Sequence, residues 1–483
     1  MENNLFYTSY RDTIHRNWLI PGLLIAVFLG WLTAREGLSI GAILIIIPIV
    51  LAFLVMVFLN PRVGLIFFIV YCFIIPGLGR HIPGPQFGLG QDALQVLTWL
   101  GVIFHRSNKF KGRYLNNDLV WLAIVWLIIT VLQIGNPERP SITGWFYEMR
   151  SATLYWVLTI PLAFLLFNKR SDIDLFLHII IILSLIGAFY GIKQLYFGTD
   201  AAENKWLADG AAKTHLLFGK LRVFSYYAEA GQFGASQAQL AIMCIILATG
   251  PHSFLKKIFY ITAGLFLFYG MLISGTRGAL MALVGGAFVF LILSKQVKVL
   301  ILGGIIGLAF LGFLKYTTIG NGNAEIVRLR SALDPNDASF QVRLANQKII
   351  KDYLASKPIG AGVGASGMWG VMYNQDKFIA QVPPDSLYVK IWVMYGIVGL
   401  IIWLGIMFYI TGKCCGIIWQ TRDPVLKNKL SALCGGATGI LLCSYGNEVL
   451  NQMPSSAIVY ISWVFIWLSP RWDSPLPVHK AAA

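Results

Sequence analysis

The chain has 483 residues, of which 57% are hydrophobic and only 12% are charged. Because soluble domains carry about 25% charged residues, this composition excludes a soluble enzyme, a disordered protein and a disulfide scaffold. The formal net charge is +16, but no basic face is interleaved with aromatic side chains, so nucleic acid is not an expected partner. Apolar runs recur from residue 18 to residue 468, and they predict an all-α polytopic integral membrane protein.

The apolar runs predict about 14 transmembrane helices. In chain order they cover residues 18–34, 38–59, 61–79, 92–105, 118–134, 151–167, 172–196, 231–249, 257–273, 278–294, 298–315, 386–412, 429–447 and 455–469. We therefore divide the chain into helices 1–11 (residues 1–315), a large hydrophilic loop (316–385), and helices 12–14 with a tail (386–483). A smaller hydrophilic segment lies at 198–230, between the seventh and eighth helices.

The distribution of Lys and Arg predicts how these helices are oriented. With the amino terminus in the cytoplasm, 19 of the 38 basic residues lie on the cytoplasmic side, and 14 of the others lie in or beside the two hydrophilic segments. Long translocated loops largely escape the positive-inside rule, so the short connections carry 19 basic residues inside and 5 outside. We expect both termini in the cytoplasm and both hydrophilic segments on the opposite side of the membrane.

The hydrophilic segments predict some local structure. Four apolar residues of the larger loop recur at helical spacing: Phe340, Leu344, Ile350 and Leu354. They predict an amphipathic helix over about 339–356 that is stopped by Pro358. Residues 137–150 predict a short interfacial helix. The glycine-rich run at 358–367 follows a helix rather than a strand, so it does not fit a dinucleotide-binding turn; we expect a flexible loop with close backbone approach.

Three arginines lie near the apolar segments on the predicted outer side: Arg222, Arg277 and Arg343. Arg277 occurs in SGTRGAL, where the connection between two apolar runs is only a few residues long, so its guanidinium stays near the membrane surface. It is either an interfacial anchor that snorkels or an anion clamp, because the guanidinium fork matches phosphate oxygens. Taken alone, Arg222 and Arg343 fit solvated surface arginines better than functional ones. Convergence of all three would indicate a lipid-linked phosphate substrate.

Among the outer carboxylates, Asp385 is distinguished by its position directly before the predicted span at 386–412. It is either the N-cap of that helix or a general base directed at a substrate on the membrane surface. The seven histidines are not paired at metal-ligand spacing, so we expect no metal and no cofactor. The six cysteines lie inside apolar spans or beside their basic ends, which is typical of buried free thiols.

Four segments resemble the O-antigen ligase and polymerase superfamily, the Wzy_C/WaaL-like bacterial glycan polymerases and ligases. They are RVFSYYAEAGQFG (222–234), SGTRGAL (274–280), FQVRLANQKIIKDYLASKPIGAGVG (340–364) and PPDSLYVKIWVMYGIVGL (383–400). The resemblance covers roughly residues 222–400 in the expected order, whereas the amino-terminal half is similar only in being polytopic. It implies a GT-C-type glycosyltransferase of the bacterial inner membrane that uses undecaprenyl-pyrophosphate-linked glycans on the periplasmic face, without nucleotide sugar or metal.

The resemblance also implies residue roles. Arg222 and Arg277 match arginines that are expected to bind the donor pyrophosphate, and Arg343 matches the loop arginine. Ligases of the family typically carry His followed by Asn before the next span, where this chain has Pro384 and Asp385. That departure favours a polymerase of lipid-linked oligosaccharide repeats, with Asp385, Arg222 and Arg277 as the catalytic residues.

In this reaction an acceptor hydroxyl attacks the anomeric carbon, and preorganised cations stabilise the leaving pyrophosphate. Further substrate contacts are expected from Arg343, Glu229, Tyr388 and Tyr226. The two tyrosines, like Trp369, are either sugar-stacking surfaces or ordinary interfacial aromatics. The expected partners are the lipid-linked glycan donor, a glycan acceptor, the lipid bilayer, and flippase and chain-length regulator proteins.

Two alternatives stay open. An O-antigen ligase or a protein O-oligosaccharyltransferase would transfer the lipid-linked glycan to lipid A core or to protein. A polysaccharide or lipid transporter is the alternative from another class. Transporters bury charges near the midplane and show repeat symmetry, whereas the charged or titratable residues within these spans lie within about two helical turns of a helix end. Those residues are His178, Lys193, Lys390 and Glu448.

Overall fold

The computed structural model describes residues 21–35, 37–82, 84, 87–104, 112–217, 219–295, 297–322, 324–331 and 333–473. Within these ranges the secondary structure is nearly all α-helical, with one two-stranded hairpin. The start of the first predicted span, at 18–20, and the end of the predicted tail, at 474–483, lie outside the described residues.

The structure places a helix at every predicted apolar segment. The first eleven helices are α1 Pro21–Arg35, α2 Leu38–Leu59, α3 Pro61–His81, α4 Phe87–Phe104, α5 Asp118–Leu132, α6 Ile142–Met149, α7 Tyr155–Leu166, α8 Arg170–Phe197, α9 Ala201–Trp206, α10 Ala212–His215 and α11 Ala230–Ala248. The others are α12 Phe254–Ile273, α13 Ala279–Leu293, α14 Val297–Tyr316, α15 Ala324–Ser331, α16 Ala338–Leu354, α17 Gly367–Tyr373, α18 Leu387–Gln420, α19 Pro424–Cys443 and α20 Ser455–Leu468. The hairpin strands are β1 Leu216–Leu217 and β2 Lys220–Leu221.

Eight helices of the described ranges are long and apolar enough to cross a membrane. They are α3, α4, α5 with its extension to Gly135, α6 joined to α7, α8, α11, α12 and α18. Shorter apolar helices include α1, α13 and parts of α2 and α14. The chain is therefore a multi-pass, nearly all-α membrane protein, while the total of 14 spans stays a prediction.

The predicted interfacial helix at 137–150 is present only in part and belongs to a longer element. Helix α6 passes through a π-helical turn, Arg150–Leu154, directly into α7. Together they form one apolar helix, Ile142–Leu166. The segment is therefore the beginning of a candidate span rather than a separate helix lying on the membrane surface.

The chain divides into two compact units, one made of residues 1–64 and 97–106 and the other of residues 65–96 and 107–483. In the first unit, helix ends approach each other closely. A methyl group built on Gly64 would lie 2.4 Å from the hydroxyl oxygen of Thr98, and one built on Gly101 would lie 2.8 Å from the carbonyl oxygen of Phe58. Most described side chains of α1 and α2 are exposed and apolar, as expected for helices that face lipid.

The second unit is built around α11, which is buried at every residue from 230 to 244. Helices α12, α13 and α19 pack around it, and α20 packs between α7 and α19. The polar side chains of α11 are tied into this core. Gln237, for example, donates hydrogen bonds to the carbonyl oxygen of Ser184 and to the hydroxyl of Tyr227, both at 3.3 Å.

Small residues allow α13 and α19 to approach closely. A methyl group on Gly286 would lie 2.8 Å from the carbonyl oxygen of Gly435, and one on Gly439 would lie 2.4 Å from the carbonyl oxygen of Ala282. In lipid, helices gain little from hydrophobic burial against each other, so close packing through small residues supplies much of their attraction. The Gly-rich sequences of both helices therefore explain how α13 and α19 pack closely against each other.

Helix α18 is interrupted at Gly396, whose φ of 68° lies in the left-handed region. The glycine-rich run at 358–367 docks at this break. The amide of Ala361 donates to the carbonyl of Val393 (2.7 Å), and the amide of Val398 donates to the carbonyl of Pro358 (3.3 Å). The expected close backbone approach is confirmed, but residues 360–366 are buried, so the run packs as part of the core rather than as a flexible loop.

The predicted amphipathic helix at 339–356 coincides with α16. Only its second half is buried: Ile350 and Leu354 are 0% and 5% exposed, whereas Phe340 and Leu344 are 38% and 41% exposed. The helix begins at Asp337, whose carboxylate accepts a hydrogen bond from the amide of Phe340. The apolar face predicted from the spacing therefore anchors α16 near its carboxy terminus and leaves its amino-terminal half free to face other groups.

Several connections of the second unit meet at one set of helix ends, which we call the loop face. It comprises the described residues of the connections 136–141, 198–229, 274–278, 317–386 and 444–454, together with the adjoining helix ends 142–150 and 387–390. The amide of Ser141 donates to the side chain of Asn374 (2.7 Å), and the amide of Leu387 donates to the carbonyl of Ser444 (3.0 Å). The predicted topology puts these same connections on one side of the membrane; which side that is stays a prediction.

Candidate active site

Arg222 is held on the loop face by the hairpin that precedes α11. The hairpin reverses the chain, so that the amide of Arg222 donates to the carbonyl of His215 (2.7 Å). Its guanidinium donates to the carbonyl of Thr214 (2.9 Å) and to the hydroxyl of Thr276 (3.3 Å). The side chain therefore bridges the hairpin and the turn that leads into α13.

His215 supports this arrangement as a neutral ring. Its Nε2 accepts a hydrogen bond from the amide of Ala230 (3.1 Å), so Nδ1 carries the proton and donates to the carbonyl of Ala211 (3.0 Å). Burial, together with the charges of Arg222 and Arg80, lowers the pKa of His215 to about 4. The ring thus ties the start of α11 to the hairpin and is uncharged at neutral pH.

Arg277 lies in the tight turn between α12 and α13, where Gly275 has a φ of 57°. Its guanidinium forms an ion pair with Asp337 (2.6 Å) and donates to the hydroxyl of Ser331 (2.9 Å). The hydrogen bond from Arg277 lowers the pKa of the Asp337 carboxyl. Arg277 therefore contacts the long loop rather than extending into lipid as an isolated anchor.

Arg328, on the short helix α15, lies beside these two arginines. A methyl group on Gly275 would lie 3.1 Å from its Cδ and Nε atoms, so the glycine leaves room for its side chain. Burial, together with the positive charges of Arg222 and Arg277, lowers the pKa of Arg328 to about 10. We call these three residues the arginine cluster.

No sequence pattern singles out Arg328. It lies in the polar segment 324–331, two residues before Arg330, and no local pattern distinguishes the two. The structure separates them, because Arg330 donates to the hydroxyl of Thr317 (3.1 Å) and to the carbonyl of Ile319 (2.6 Å). Arg330 thus holds its own loop together, whereas Arg328 faces the other arginines.

The arginine cluster has an excess of positive charge. Among the described residues, Asp337 is its one carboxylate within ion-pair distance, and Glu229 exerts a weaker attraction on Arg222. The Nε atoms of Arg222 and Arg328 are buried and have no hydrogen-bond acceptor within the described parts of the chain. A cluster of this kind suits an anion with several oxygens, because guanidinium donors match phosphate geometry.

Glu229 links the arginine cluster to the segment 444–454. Its carboxylate accepts hydrogen bonds from the side chains of Asn447 and Gln452, both at 3.4 Å. A methyl group on Gly231 would lie 2.1 Å from the side-chain nitrogen of Asn447, so the glycine leaves room for that side chain. The predicted substrate residue Glu229 is thus on the loop face, close to Arg222.

Arg343 and Asn346 lie on the same side of α16, one turn apart. A methyl group on Gly446 would lie 3.9 Å from Nη1 of Arg343. Asn346 donates to the carboxylate of Asp385 at 3.4 Å. Because α16 begins at Asp337, this helix connects the arginine cluster with Asp385, and all the arginines predicted from the sequence lie on the loop face.

The N-cap interpretation of Asp385 is wrong. Ser386 occupies the N-cap position of α18, and its side chain makes no capping hydrogen bond. Asp385 precedes it with a φ of 52°, a left-handed conformation that Asp adopts more readily than most residues. Such conformations are often found at functional sites. The predicted catalytic role of Asp385 stays a prediction, now without a capping role beside it.

The structure accounts for Tyr226 and Tyr388 as packing residues. The hydroxyl of Tyr226 donates to the carbonyl of Leu183, and its ring stacks on Tyr227 at 5.2 Å. The hydroxyl of Tyr388 donates to the carbonyl of Leu441 at 2.9 Å. These contacts are with neighbouring helices and not with the arginine cluster, and the expected contact of both tyrosines with substrate stays a prediction.

One group of side chains could coordinate a cation, although its spacing in the sequence did not indicate it. Ligand atoms of His81, Asp200 and Glu203 lie within 4.8 Å of one another. Glu203 already accepts hydrogen bonds from Tyr190 (2.8 Å) and Gln194 (2.6 Å), and His81 contacts Asp200 at 2.9 Å. The group therefore works as a hydrogen-bonded junction, and the absence of a metal requirement stays a prediction.

The cysteines agree with the sequence interpretation. All six are free, five are buried, and Cys415 is partly buried. They are Cys72, Cys244, Cys414, Cys415, Cys434 and Cys443. The prediction of buried free thiols is thus confirmed for five cysteines; Cys415 is free but only partly buried.

The helices and the arginine cluster define a multi-pass membrane protein with a concentration of positive charge at one set of helix ends. Residues 262–404 match the family model described as O-antigen ligase. This match supports the O-antigen ligase and polymerase superfamily and confirms the resemblance predicted from the sequence. No curated protein matches the chain significantly.

The matched region includes Arg277, Arg328, Arg343 and Asp385, whereas Arg222 precedes it. The family indicates a membrane enzyme of the O-antigen ligase or polymerase type, that is, a glycosyltransferase-like enzyme with lipid-linked glycan substrates. Most of the site described above therefore lies in the segment that carries the family similarity.

Proposed function

We propose that the protein polymerises undecaprenyl-pyrophosphate-linked oligosaccharide repeats on the periplasmic face of the bacterial inner membrane. The observation that carries this proposal is the arginine cluster, in which three guanidinium groups lie together and, among the described residues, only Arg277 has a carboxylate within ion-pair distance. The leaving pyrophosphate gathers negative charge in the transition state, and preorganised cations stabilise such charge. The cluster would supply that charge without a metal or another cofactor.

Asp385 is the proposed group that orients or deprotonates the acceptor hydroxyl. Its carboxylate is partly exposed, and Asn346 fixes one of its oxygens. Arg343, one turn away on the same helix, is proposed to contact the glycan or its phosphate. The acceptor would thus approach between α16 and the start of α18, next to the leaving group.

The wider arrangement completes this proposal. The protein would have about 14 spans in a GT-C-type arrangement, with both termini in the cytoplasm and the loop face in the periplasm. The large segment 316–385 would then lie where undecaprenyl-linked glycans are displayed. A flippase would supply the donor, and a chain-length regulator would control the product.

A ligase is the second candidate, because the matched family model is described as O-antigen ligase. In that case the glycan would be transferred to lipid A core or to a protein hydroxyl rather than to another repeat. Pro384 and Asp385 occupy the positions where the resemblance implies His and Asn in ligases, and this difference favours the polymerase.

The test is transfer by the purified protein in nanodiscs, with the host's lipid-linked repeat as the only substrate. A polymerase converts it into a ladder of longer lipid-linked glycans, and excess EDTA leaves this activity intact. A ligase gives a product only when lipid A core or acceptor protein is added. Absence of transfer under both conditions would refute the proposed function.

Asp385→Asn tests the base within the same assay. Because Asp385 is not the N-cap, the change removes the charge without disturbing the start of α18. Turnover should fall by about 10²–10⁴-fold, the usual contribution of a general base, while the affinity for the lipid-linked donor stays nearly constant. Unchanged turnover would show that the reaction needs no base at this position.

A further inference from the structure

Three aromatic rings form a stack on the loop face, outside the arginine cluster. Tyr147 of α6 lies 4.6 Å from Trp369 and 5.7 Å from Tyr373, both on α17, measured between ring centroids. The interplanar angles are 15° and 4°, and Trp369 is tilted by only 18° from Tyr373. The three rings are nearly parallel and partly exposed. We call them the aromatic stack.

The aromatic stack is held rigidly. The side chain of Asn374, which is 2% exposed, accepts from the amide of Ser141 (2.7 Å) and donates to the carbonyl of Gly364 (2.9 Å). Gly364 has a φ of 79°, and a methyl group there would lie 2.4 Å from the backbone of Gly144. These contacts fix α17 against α6. The rings are therefore preorganised, in contrast to isolated interfacial aromatics.

The borders of the aromatic stack are polar. The guanidinium of Arg150 lies 5.9 Å from the ring centre of Tyr147 and forms an ion pair with Asp92 (2.5 Å). The hydroxyls of Tyr147 and Tyr373 interact with each other. Arg150 also begins the π-helical turn that joins α6 to α7, a feature that is frequent at functional sites.

A buried group of charges connects the aromatic stack to the arginine cluster. Lys390 lies 3.0 Å from the carboxylate of Glu148, the residue after Tyr147, and 2.7 Å from that of Glu448. We call Lys390, Glu148 and Glu448 the lysine triad. Glu448 follows Asn447, which donates to Glu229. The aromatic stack is thus linked to Arg222 through residues adjacent in the chain, the ion pairs of the lysine triad and the attraction between Glu229 and Arg222.

We propose that the aromatic stack is a glycan-binding platform that takes pyranose rings of the lipid-linked oligosaccharide. The C–H face of a sugar carries partial positive charge and fits the negative face of an aromatic ring. The sugar hydroxyls at the edge would meet Arg150 and the two tyrosyl hydroxyls. A purely apolar ligand such as an acyl chain would gain nothing from these polar groups. This inference rests on the proposed function, because it assumes a glycan substrate.

Binding of the free repeat oligosaccharide, released from its carrier by mild acid, tests the platform directly. Saturation-transfer NMR with the full-length protein in nanodiscs gives its affinity. Trp369→Ala and Tyr373→Ala should each weaken binding by about 3- to 10-fold, as expected from the loss of one aromatic contact. Trp369→Phe should retain most of the affinity, because it keeps an aromatic face. This variant also serves as a control for correct folding.

Phe378→Ala is the matched control. Phe378 lies in the same loop and is 60% exposed, but its ring contacts Tyr353 rather than the aromatic stack; oligosaccharide binding should be unchanged in this variant. Unaltered affinity in both Trp369→Ala and Tyr373→Ala would overturn the proposal.

Two further measurements separate the possible sources of the glycan. If the platform holds donor sugars, Trp369→Ala raises the KM for the lipid-linked repeat and leaves that for a free acceptor unchanged; if it holds acceptor sugars, the reverse occurs. Either shift in KM supports the platform. If both KM values stay unchanged, the platform is refuted. Wild-type binding of the free oligosaccharide without any transfer activity would leave the platform standing and refute the proposed function instead.

Discussion

In the arginine cluster three cations lie together and, among the described residues, only Arg277 has a carboxylate within ion-pair distance, whereas in the lysine triad two carboxylates share one ammonium group. The lysine triad holds the more deeply buried charges: the side chains of Lys390 and Glu148 are 7% and 1% exposed, whereas those of Arg277 and Glu448 are 25% and 24% exposed. Both groups lie on the loop face: Glu448 belongs to the lysine triad, and its neighbour Asn447 donates to Glu229, which attracts Arg222. They therefore share a location but differ in charge balance and in access.

The difference shows how the burial and charge balance of a charged group indicate whether it serves stability or ligand binding. A buried ion pair whose partners satisfy one another is expensive to break, because a single remaining charge is left without solvation. A partly exposed cluster with unbalanced charge gains most when an external counter-ion arrives. We therefore expect the lysine triad to govern stability and the arginine cluster to govern activity.

Removal of the ammonium group is expected to have the largest effect on the folded state. Lys390→Ala leaves the carboxylates of Glu148 and Glu448 facing each other without a cation. Breaking a buried pair in this way costs about 3–5 kcal/mol, so the thermal midpoint of the detergent-solubilised protein should fall strongly. An unchanged thermal midpoint in Lys390→Ala would show that solvent reaches the lysine triad. The contrast in burial with the arginine cluster would then be wrong.

Arg328→Ala should show the opposite behaviour. The folded state loses little, because the change removes one of three like charges. Transfer should fall by about 10²–10³-fold, the loss typical for one preorganised electrostatic group. Arg330→Ala is the matched control: it removes the same charge two residues away, where the guanidinium only bonds its own loop. Equal loss of transfer in both variants would point to disruption of α15 instead.

Asp337→Asn should strengthen anion binding by the arginine cluster, in contrast to Arg328→Ala. Asn caps a helix about as well as Asp, so α16 is retained while the competing charge is removed. Binding of undecaprenyl pyrophosphate should tighten by about 3- to 10-fold, in line with a charge-assisted hydrogen bond. Titration of the carrier into nanodiscs measures this change; weaker binding would mean that Asp337 helps to orient Arg277 for the ligand.

The smallest predicted effect concerns pH. The folded-state pKa of His215, about 4, lies below its ordinary value of about 6.5. The neutral ring therefore contributes stability that is present above about pH 6.5 and is lost as the pH falls towards 4. His215→Gln should be less stable at neutral pH and should show a shallower decline over this interval. Parallel thermal-midpoint curves for both proteins would contradict the prediction.

The elements that were predictable follow local rules. Continuous apolar runs indicated the helix positions, and the spacing in α16 indicated a helix, because both depend on residues near in sequence. Arg222 and Arg277 were identified from short segments that resemble a family, and Arg277 also from the tightness of its turn. For these residues the local sequence carries most of the information about where the side chain lies.

The rest of the site depends on contacts between distant segments. Arg328 has the same local surroundings as Arg330, and only its packing against Gly275 distinguishes it. The lysine triad joins residues from α6, α18 and the segment after α19, so neither its pairing nor its burial is visible in sequence. Asp385 was assigned as a possible cap because helix starts are uncertain by a few residues, and the helix begins one residue later than that interpretation requires.

The break in α18 has a consequence for how the protein opens. A helix interrupted at Gly396 leaves backbone groups that lipid cannot satisfy, and the amides of Ala361 and Gly362 donate to the carbonyls of Val393 and Met394 instead. The buried glycine run and the first part of α18 must therefore separate together or not at all. Hydrogen–deuterium exchange at 361, 362 and 398 would then follow a single opening equilibrium, which makes these residues one cooperative unit within the loop face.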